Sequence, residues 1–272
     1  MKLNDPLISI IYPIKNRVHL FTHTLKSLYS SSVSPIDVEL IIIDQSSTDG
    51  LLGLLREYSS RFRIEYYNVD MHKYSAYKLP DRPYYNPAYV MNLGIRNSKG
   101  YYNVLTSPEV CPQFDVLAEI KAEKNHDIIL QTDTEEAKLN TDGTLSLGEG
   151  LRNLTTKEAS VGIYPAYNYF TAYPHKYLMA IGGIEESYMA GLAAEDDDFC
   201  DSITSHRLRY KFYTGGVCYH IVHPINEWVN TPEWIHNCEI LKKRRQCLDI
   251  YRINNLDIIW GSDECIIEHR SI

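Results

Sequence analysis

Two near-continuous apolar runs, Leu7–Ile11 and Val38–Ile43, constrain this chain more than any other feature. They are too short for core helices and lack the alternation of a half-solvated strand, so they read as strands covered on both faces. Weaker runs of the same kind follow at Arg63–Val69, Tyr101–Leu105 and Asp127–Leu130. Between them the period changes. Val18, Phe21, Leu25 and Leu28 recur three or four apart, as do Leu51, Leu54, Leu55 and Tyr58 after the turn Ser46-Ser47-Thr48-Asp49-Gly50. Ala88, Met91, Asn92 and Ile95 form a third helical set, closed by Gly100. Strands alternating with helices predict an α/β fold with a mostly parallel sheet and right-handed crossovers. Ligands of such sheets bind beyond the carboxyl ends of the strands. The segments to watch are therefore Tyr12–Arg17, Asp44–Asp49 and Thr106–Glu109.

Composition narrows the function classes. The 272 residues carry 27 Lys+Arg against 35 Asp+Glu, a net charge of −8, which argues against a protein built to hold nucleic acid. No stretch reaches the roughly 18 apolar residues needed to span a bilayer. The run from Leu7 follows Asp5 rather than a basic segment, so it is not read as a signal peptide, and a cytoplasmic location is expected. The six cysteines form no C-x-x-C pair and read as buried thiols. Asn153-Leu154-Thr155 fits a glycosylation acceptor by pattern alone. The 22 tyrosines against 6 phenylalanines are unusual, and a ring bearing a hydroxyl suits surfaces that grip sugars or bases.

The second half is less regular. Residues 133–160 form a polar excursion, Tyr164 to Tyr177 an aromatic stretch, and Gly216–Val222 a strand-like run ending in two histidines. The segment Pro232–Tyr251 reads as helical, with Lys242–Arg245 as a solvated basic face; a cationic tail of this kind would also suit peripheral membrane contact.

Several residues could carry chemistry. Asp44, at the end of a buried strand, can accept hydrogen bonds from a base edge or a ribose, although a helix cap at Asp44 or Ser47 is the simpler account of it alone. Ser107-Pro108-Glu109 offers one carboxylate after the fourth strand. The run Glu195-Asp196-Asp197-Asp198 opens a helical pattern and is either a solvated acidic N-terminus or the source of a general base. Asp198, two positions beyond Asp196, points elsewhere on the helix, and its loss should cost far less. His220 and His223 lie three apart, so on a strand they face opposite sides, and one metal should be reached by one histidine unless the strand ends between them.

Together these segments resemble family 2-type glycosyltransferases with the GT-A fold over about residues 5–225. Ile8 to Arg17 resembles the opening strand, Leu40 to Gly50 the second strand with its acidic turn, and Asn86 to Tyr102 the helix and strand leading to the metal motif. Ile181 to Glu186 and Gly191 to Phe199 are similar to the acceptor and catalytic stretch of the galactosyltransferase-like branch. The resemblance implies a GT-A domain over residues 1–230 with a C-terminal helical extension, 231–272, packed on it. It implies that Pro13, Asn16, Arg17, Asp44, Asn92 and Ser107 line the nucleotide pocket. Asp196 would be the catalytic base, with Glu195 orienting the acceptor, while Glu109 and His220 or His223 would hold a divalent cation, Mn²⁺ or Mg²⁺. Ser107-Pro108-Glu109 stands where the family has Asp-x-Asp, so that cation is expected to be weakly held. Tyrosines around 164–173 and Trp228 or Trp234 are candidates for stacking on acceptor sugars.

The implied reaction is inverting transfer from a nucleotide-sugar, a UDP-sugar by expectation, to a saccharide or glycoconjugate. A degenerate sugar-nucleotide or glycan-binding protein is the rival from another class. A sugar-phosphate nucleotidyltransferase would need a glycine-rich phosphate loop after the first strand, and Tyr12–Arg17 has no glycine.

Overall fold

The computed structural model describes residues 6–76, 86–125, 127–148, 151, 153–155, 168–188, 194–224, 230–246 and 252–272. The N-terminal half follows the pattern of the sequence closely. Strand β1 (Ile8–Ile14) leads into helix α1 (Val18–Tyr29), β2 (Val38–Asp44) into α2 (Leu51–Tyr58), and β3 (Arg63–Val69) is followed by α3 (Pro87–Asn97) and β4 (Tyr102–Leu105). These four strands lie parallel in the order β3-β2-β1-β4. Successive side chains of β1 and β2 alternate between two cores. Ile10, Tyr12, Leu40 and Ile42 face α1 and α2, whereas Ile11, Ile41 and Ile43 face α3. Both faces are dry, so the strands tolerate no regular polar alternation.

The two polar residues that do interrupt these runs belong to one device. Ser9 and Glu39 are register partners on β1 and β2 and are fully buried. The Ser9 hydroxyl donates to Glu39 Oε1 at 2.5 Å and accepts the Gly100 amide at 2.7 Å. The Lys99 amide also donates to Glu39 Oε1, at 2.7 Å. A buried hydroxyl and carboxylate thereby fix the turn that feeds β4 into the sheet, each finding the partners that burial demands.

Beyond β4 the sheet becomes mixed. Strands β5 (Val110–Pro112), β6 (Ile128–Leu139), β9 (Thr171–Pro174) and β10 (Arg209–Ile221) continue it in the order β4-β9-β6-β10-β5, and short β7 (Leu145–Ser146) and β8 (Asn153–Thr155) pair with β6. Only β6 and β10 are parallel neighbours in this half. Helix α4 (Val116–Ala122) joins the first core, while α5 (His175–Ile181) and α6 (Glu195–Ser205) contribute to the second. The C-terminal segment is helical in α7 (Pro232–Gln246), but it then returns to the sheet and adds β11 (Ile266–Ser271) antiparallel to β3. Among the described residues no helix is long and apolar enough to cross a membrane.

A methyl group at Gly100 would lie 2.5 Å from the backbone nitrogen of Ser9 and 2.9 Å from the Ile8 carbonyl carbon. Backbone cannot retreat as a flexible side chain can, so Gly100→Ala should destabilise the fold by about 1–3 kcal/mol. Urea denaturation with an unchanged m-value checks it.

Candidate functional site

The first wall of the site is made where β1 and β2 end side by side. Their loops are stitched together by polar contacts. Asn16, in the left-handed region with φ of 53°, donates its amide to Ser47 Oγ at 2.8 Å and accepts the Thr48 amide on Oδ1 at 2.8 Å. Asp49 Oδ2 accepts the Val18 amide at 2.9 Å, so the second loop caps the helix that follows the first. Asp44 does not cap α2, whose N-cap is Gly50. Its Oδ1 instead accepts the Ser47 amide at 2.8 Å, and its Oδ2 accepts the Tyr66 hydroxyl at 2.6 Å. Burial, followed by this bond to Asp44, raises the Tyr66 phenol well above its ordinary value, so Tyr66 stays a donor. Asp44 is 2% exposed and fixes the curve of its own loop. Arg17 sits half-buried at the start of α1.

The second wall is a histidine–carboxylate cluster. Residues 106–109 turn out of β4 into β5, and the Glu109 carbonyl accepts the Ile221 amide at 2.9 Å, which brings the end of β10 alongside. Strand β10 stops at Ile221, where Val222 donates to the Ala137 carbonyl, and the chain turns. Both histidines consequently converge on Glu109, contrary to the one-histidine expectation for a continuous strand. Nε2 of His223 lies 3.3 Å and Nε2 of His220 4.0 Å from Glu109 Oε1. The His223 Nδ1 is 3.0 Å from the Pro224 carbonyl, which can only accept, so Nδ1 carries the proton and Nε2 is left for Glu109 or a cation. Burial alone would raise the Glu109 carboxyl, but the bond from His223 and the charges of both histidines hold it below the usual range. The bond to Glu109 raises His223, against the opposing effect of burial. One ligand atom from each of Glu109, His220 and His223 falls within 4.8 Å of the others. A carboxylate oxygen with two imidazole nitrogens is a donor set that a divalent transition-metal ion can use.

The third wall is the start of α6. Its N-cap, Ala194, has φ of 80°, a left-handed conformation unusual for alanine. Glu195 and Asp196 line the same cavity of about 230 Å³ as Pro13, Ala88, Ser107, Glu109, Tyr169 and His220. Burial raises the proton affinity of both carboxyls. The charge of Asp196 adds to the effect at Glu195, and that of Asp197 does so at Asp196. Glu195 Oε2 has no hydrogen-bond partner among the described residues. A carboxyl that binds a proton more readily than usual, set beside a cavity, is a general-base candidate.

Asp198 is not part of the cavity lining and is spent on the fold instead. It is fully buried and lies between two guanidiniums, with Arg244 Nε 2.8 Å from Oδ2 and Arg252 Nη1 2.8 Å from Oδ1. The basic cluster of α7 is likewise not wholly a solvated face. Arg244 also reaches Glu185 Oε2 at 3.0 Å and Arg245 reaches Asp201 at 2.7 Å, while Lys242 and Lys243 are exposed.

Asn92, expected in the nucleotide pocket, is fully buried and spent elsewhere. Its amide nitrogen donates to the Ile184 carbonyl and Glu186 Oε1, and its Oδ1 accepts the Ile184 amide at 2.8 Å. It anchors the loop Gly182–Glu186 to α3. Asn254 and Asn255 hold the same loop from the other side through the Gly183, Gly182 and Ile184 carbonyls. Gly182 and Gly183 both have positive φ and are approached by the Asn254 carbonyl and the Asn92 side chain, a fit that any Cβ would obstruct. Tyr66, Arg252, Asn254 and Asn255 carry no sequence signal, because each acts through a partner distant in the chain. Of the proposed sugar-stacking aromatics, residues 164–167 and Trp228 lie outside the described residues, as do Gly191–Ala193 of the catalytic stretch. Tyr169 lines the cavity and Tyr173 is buried with its hydroxyl on Asn168.

Two outcomes are expected. Asp198→Asn leaves two arginines short of their shared carboxylate and should cost about 3 kcal/mol, read as a fall in melting temperature. Asp196→Asn should cost little stability. Because Glu195 and Asp196 bind protons more tightly folded than unfolded, their contribution is fully present at acid pH and is lost as pH rises through their raised folded values. The melting temperature of the metal-free protein should carry a downward slope above the usual carboxylate range, and Asp196→Asn should flatten it.

Residues 9–105 match the Glycosyl transferase family 2 model. The chain is 38% identical over 61 residues to a validoxylamine A glucosyltransferase of Streptomyces hygroscopicus subsp. limoneus, a match covering 22% of this chain and 14% of that one. It is 33% identical over 100 residues to an uncharacterized glycosyltransferase of Rickettsia conorii, covering 37% and 14%. Among solved structures, S. aureus TarS 1-349 in complex with UDP-GlcNAc aligns with a TM-score of 0.58 at 15% identity, over 86% of this chain and 65% of that one. The mannosyltransferase PcManGT from Pyrobaculum calidifontis, in complex with GDP-Man and Mn²⁺, aligns with a TM-score of 0.56 at 15% identity, over 83% and 59%. The aligned part thus spans about a seventh of the curated relatives' length and under two thirds of the structural neighbours'. The fold is that of the GT-A glycosyltransferases.

Proposed function

We propose that this chain, in which residues 9–105 form a family 2 glycosyl transferase unit, is an inverting glycosyltransferase using a UDP-sugar and a saccharide or glycoconjugate acceptor. One observation carries the reading. A single cavity at the carboxyl ends of the strands is lined both by Glu109 and His220 and by two carboxyls of raised proton affinity, Glu195 and Asp196. Displacing a nucleoside diphosphate from a sugar needs those two functions together: a cationic site for the leaving group and a base for the incoming hydroxyl.

In this reading the loops after β1 and β2 hold the nucleotide, with Asp44 accepting from the uracil N3–H or a ribose hydroxyl, and Pro13, Asn16, Arg17 and Ser107 beside it. A divalent cation held by Glu109, His220 and His223 would neutralise charge on the diphosphate as it leaves. Asp196 takes the proton of the acceptor hydroxyl while that oxygen forms its bond to C1, and the bond from C1 to the β-phosphate oxygen breaks with its electron pair. Attack from the face opposite the diphosphate inverts the anomeric centre. Glu195 orients the acceptor. The structural neighbours bear UDP-GlcNAc in one case and GDP-Man in the other, so the choice of uridine rests on Asp44 rather than on likeness.

Calorimetric titration with Mn²⁺ and UDP, paired with a donor-hydrolysis assay, tests the reading. Three protein donors make a thin ligand set, so Mn²⁺ should bind weakly alone and clearly with UDP. His220→Ala and His223→Ala should each weaken it by roughly tenfold or more. Asp196→Asn should lower kcat by about 10²–10⁴-fold with UDP affinity near wild type. Nucleotide binding without any turnover across UDP-glucose, UDP-GlcNAc and GDP-mannose would favour the non-catalytic binding protein instead.

A further inference from the structure

The helix that carries the proposed base does not hold itself in place. Its N-cap Ala194 sits at positive φ, and among the described residues no capping side chain supports it. Its first turn places Glu195, Asp196, Asp197 and Asp198 together, and their mutual repulsion favours splaying apart. What opposes this comes from the C-terminal segment. Leu241 of α7 packs on Ala194 and Tyr188, directly beside the helix start. One turn further along α7, Arg244 contacts Asp198 at 2.8 Å and Glu185 at 3.0 Å, so one guanidinium joins α6 to the acidic loop that precedes it. Its Nη2 also donates to Asn254 Oδ1 at 2.7 Å, and Asn254 in turn holds the Gly183 carbonyl. Arg252 grips the other oxygen of Asp198 and donates to the Arg244 carbonyl at 2.8 Å.

From this geometry we propose that Arg244, with Arg252, is a positioning residue: it locks α6 against the Gly182–Glu186 loop and so sets where Asp196 stands in the cavity. The clamp shares no hydrogen bond with the loops after β1 and β2. Asn16, Asp44, Ser47 and Asp49 are held by bonds within and between the β1, β2 and β3 ends, none of which includes an α7 residue. Loosening it should therefore disturb the base and spare the nucleotide. Arginine is required rather than any cation, because its planar fork meets two carboxylates and an amide oxygen at once.

The inference rests on the proposed glycosyl transfer, and the test separates the two. UDP titration counts competent sites and gives the affinity; UDP-glucose, UDP-GlcNAc and GDP-mannose hydrolysis gives kcat per site. Arg244→Met should lower kcat per UDP-binding site by about 10²-fold, the scale of a misplacement near 1 Å, with UDP affinity within twofold of wild type. Arg244→Lys, which can restore one ion pair but not the fork, should recover part of the loss. A fall in binding stoichiometry and melting temperature with kcat per site unchanged would make the clamp purely structural and overturn the proposal. So would equal losses in UDP affinity and kcat. Should Arg244→Met not fold, Arg252→Lys and Arg244→Lys read the same split in milder form. Absence of turnover by the wild-type protein with all three donors would instead sink the functional reading, leaving the clamp to be judged by proton affinity. In that case the downward pH slope of stability assigned to Glu195 and Asp196 should change in Arg244→Lys, and an unchanged slope would overturn the clamp as well.

Discussion

Burial of the Asp198 carboxylate between Arg244 and Arg252 is the interaction on which the joining of α6, α7 and the Gly182–Glu186 loop depends. A buried charge is tolerated only with partners in good geometry, and here both partners come from beyond residue 240. The same two arginines join α7 to α6, and through Glu185 to the Gly182–Glu186 loop. The acidic run thus divides its labour. Asp198 is spent on architecture, while Glu195 and Asp196 line the cavity.

The N-terminal half of the sheet is organised by a different physics. Its strands are apolar on both faces, so order and register follow from burial with few specific contacts. The exceptions, Ser9 and Glu39, meet across β1 and β2 and fix the turn at Gly100. Loops that leave such a sheet need their own polar ties, and Asn16, Ser47, Asp49 and Asp44 supply them. Asp44 shows how a binding candidate can also be a structural one: each of its oxygens already accepts a bond, from the Ser47 amide and the Tyr66 hydroxyl.

The histidine–carboxylate cluster lies where these halves join. Glu109 belongs to the turn after β4, and His220 and His223 to the end of β10, more than a hundred residues later. Ending β10 at Ile221 rather than two residues on is what lets both imidazoles face one carboxylate. That detail sets two nitrogen donors beside one carboxylate.

How much was legible in the sequence follows from the range of the interactions. The runs Val38–Ile43 and Arg63–Val69 became β2 and β3, and the periodic sets from Val18, Leu51 and Ala88 became α1, α2 and α3, because burial and helical period act over a few neighbouring residues. The order of the acidic turn, Glu109, the acidic run and the histidines was enough to name the fold and to nominate Asp44, Glu109 and Asp196. Tertiary structure alone decided the rest. It sent Asn92 into a buried loop anchor, bent His223 back beside His220, and joined a buried Asp198 to a half-buried Arg244. Each of those outcomes depends on a partner tens of residues away, and an ionisable side chain reads the same in sequence whether it meets water or another charge.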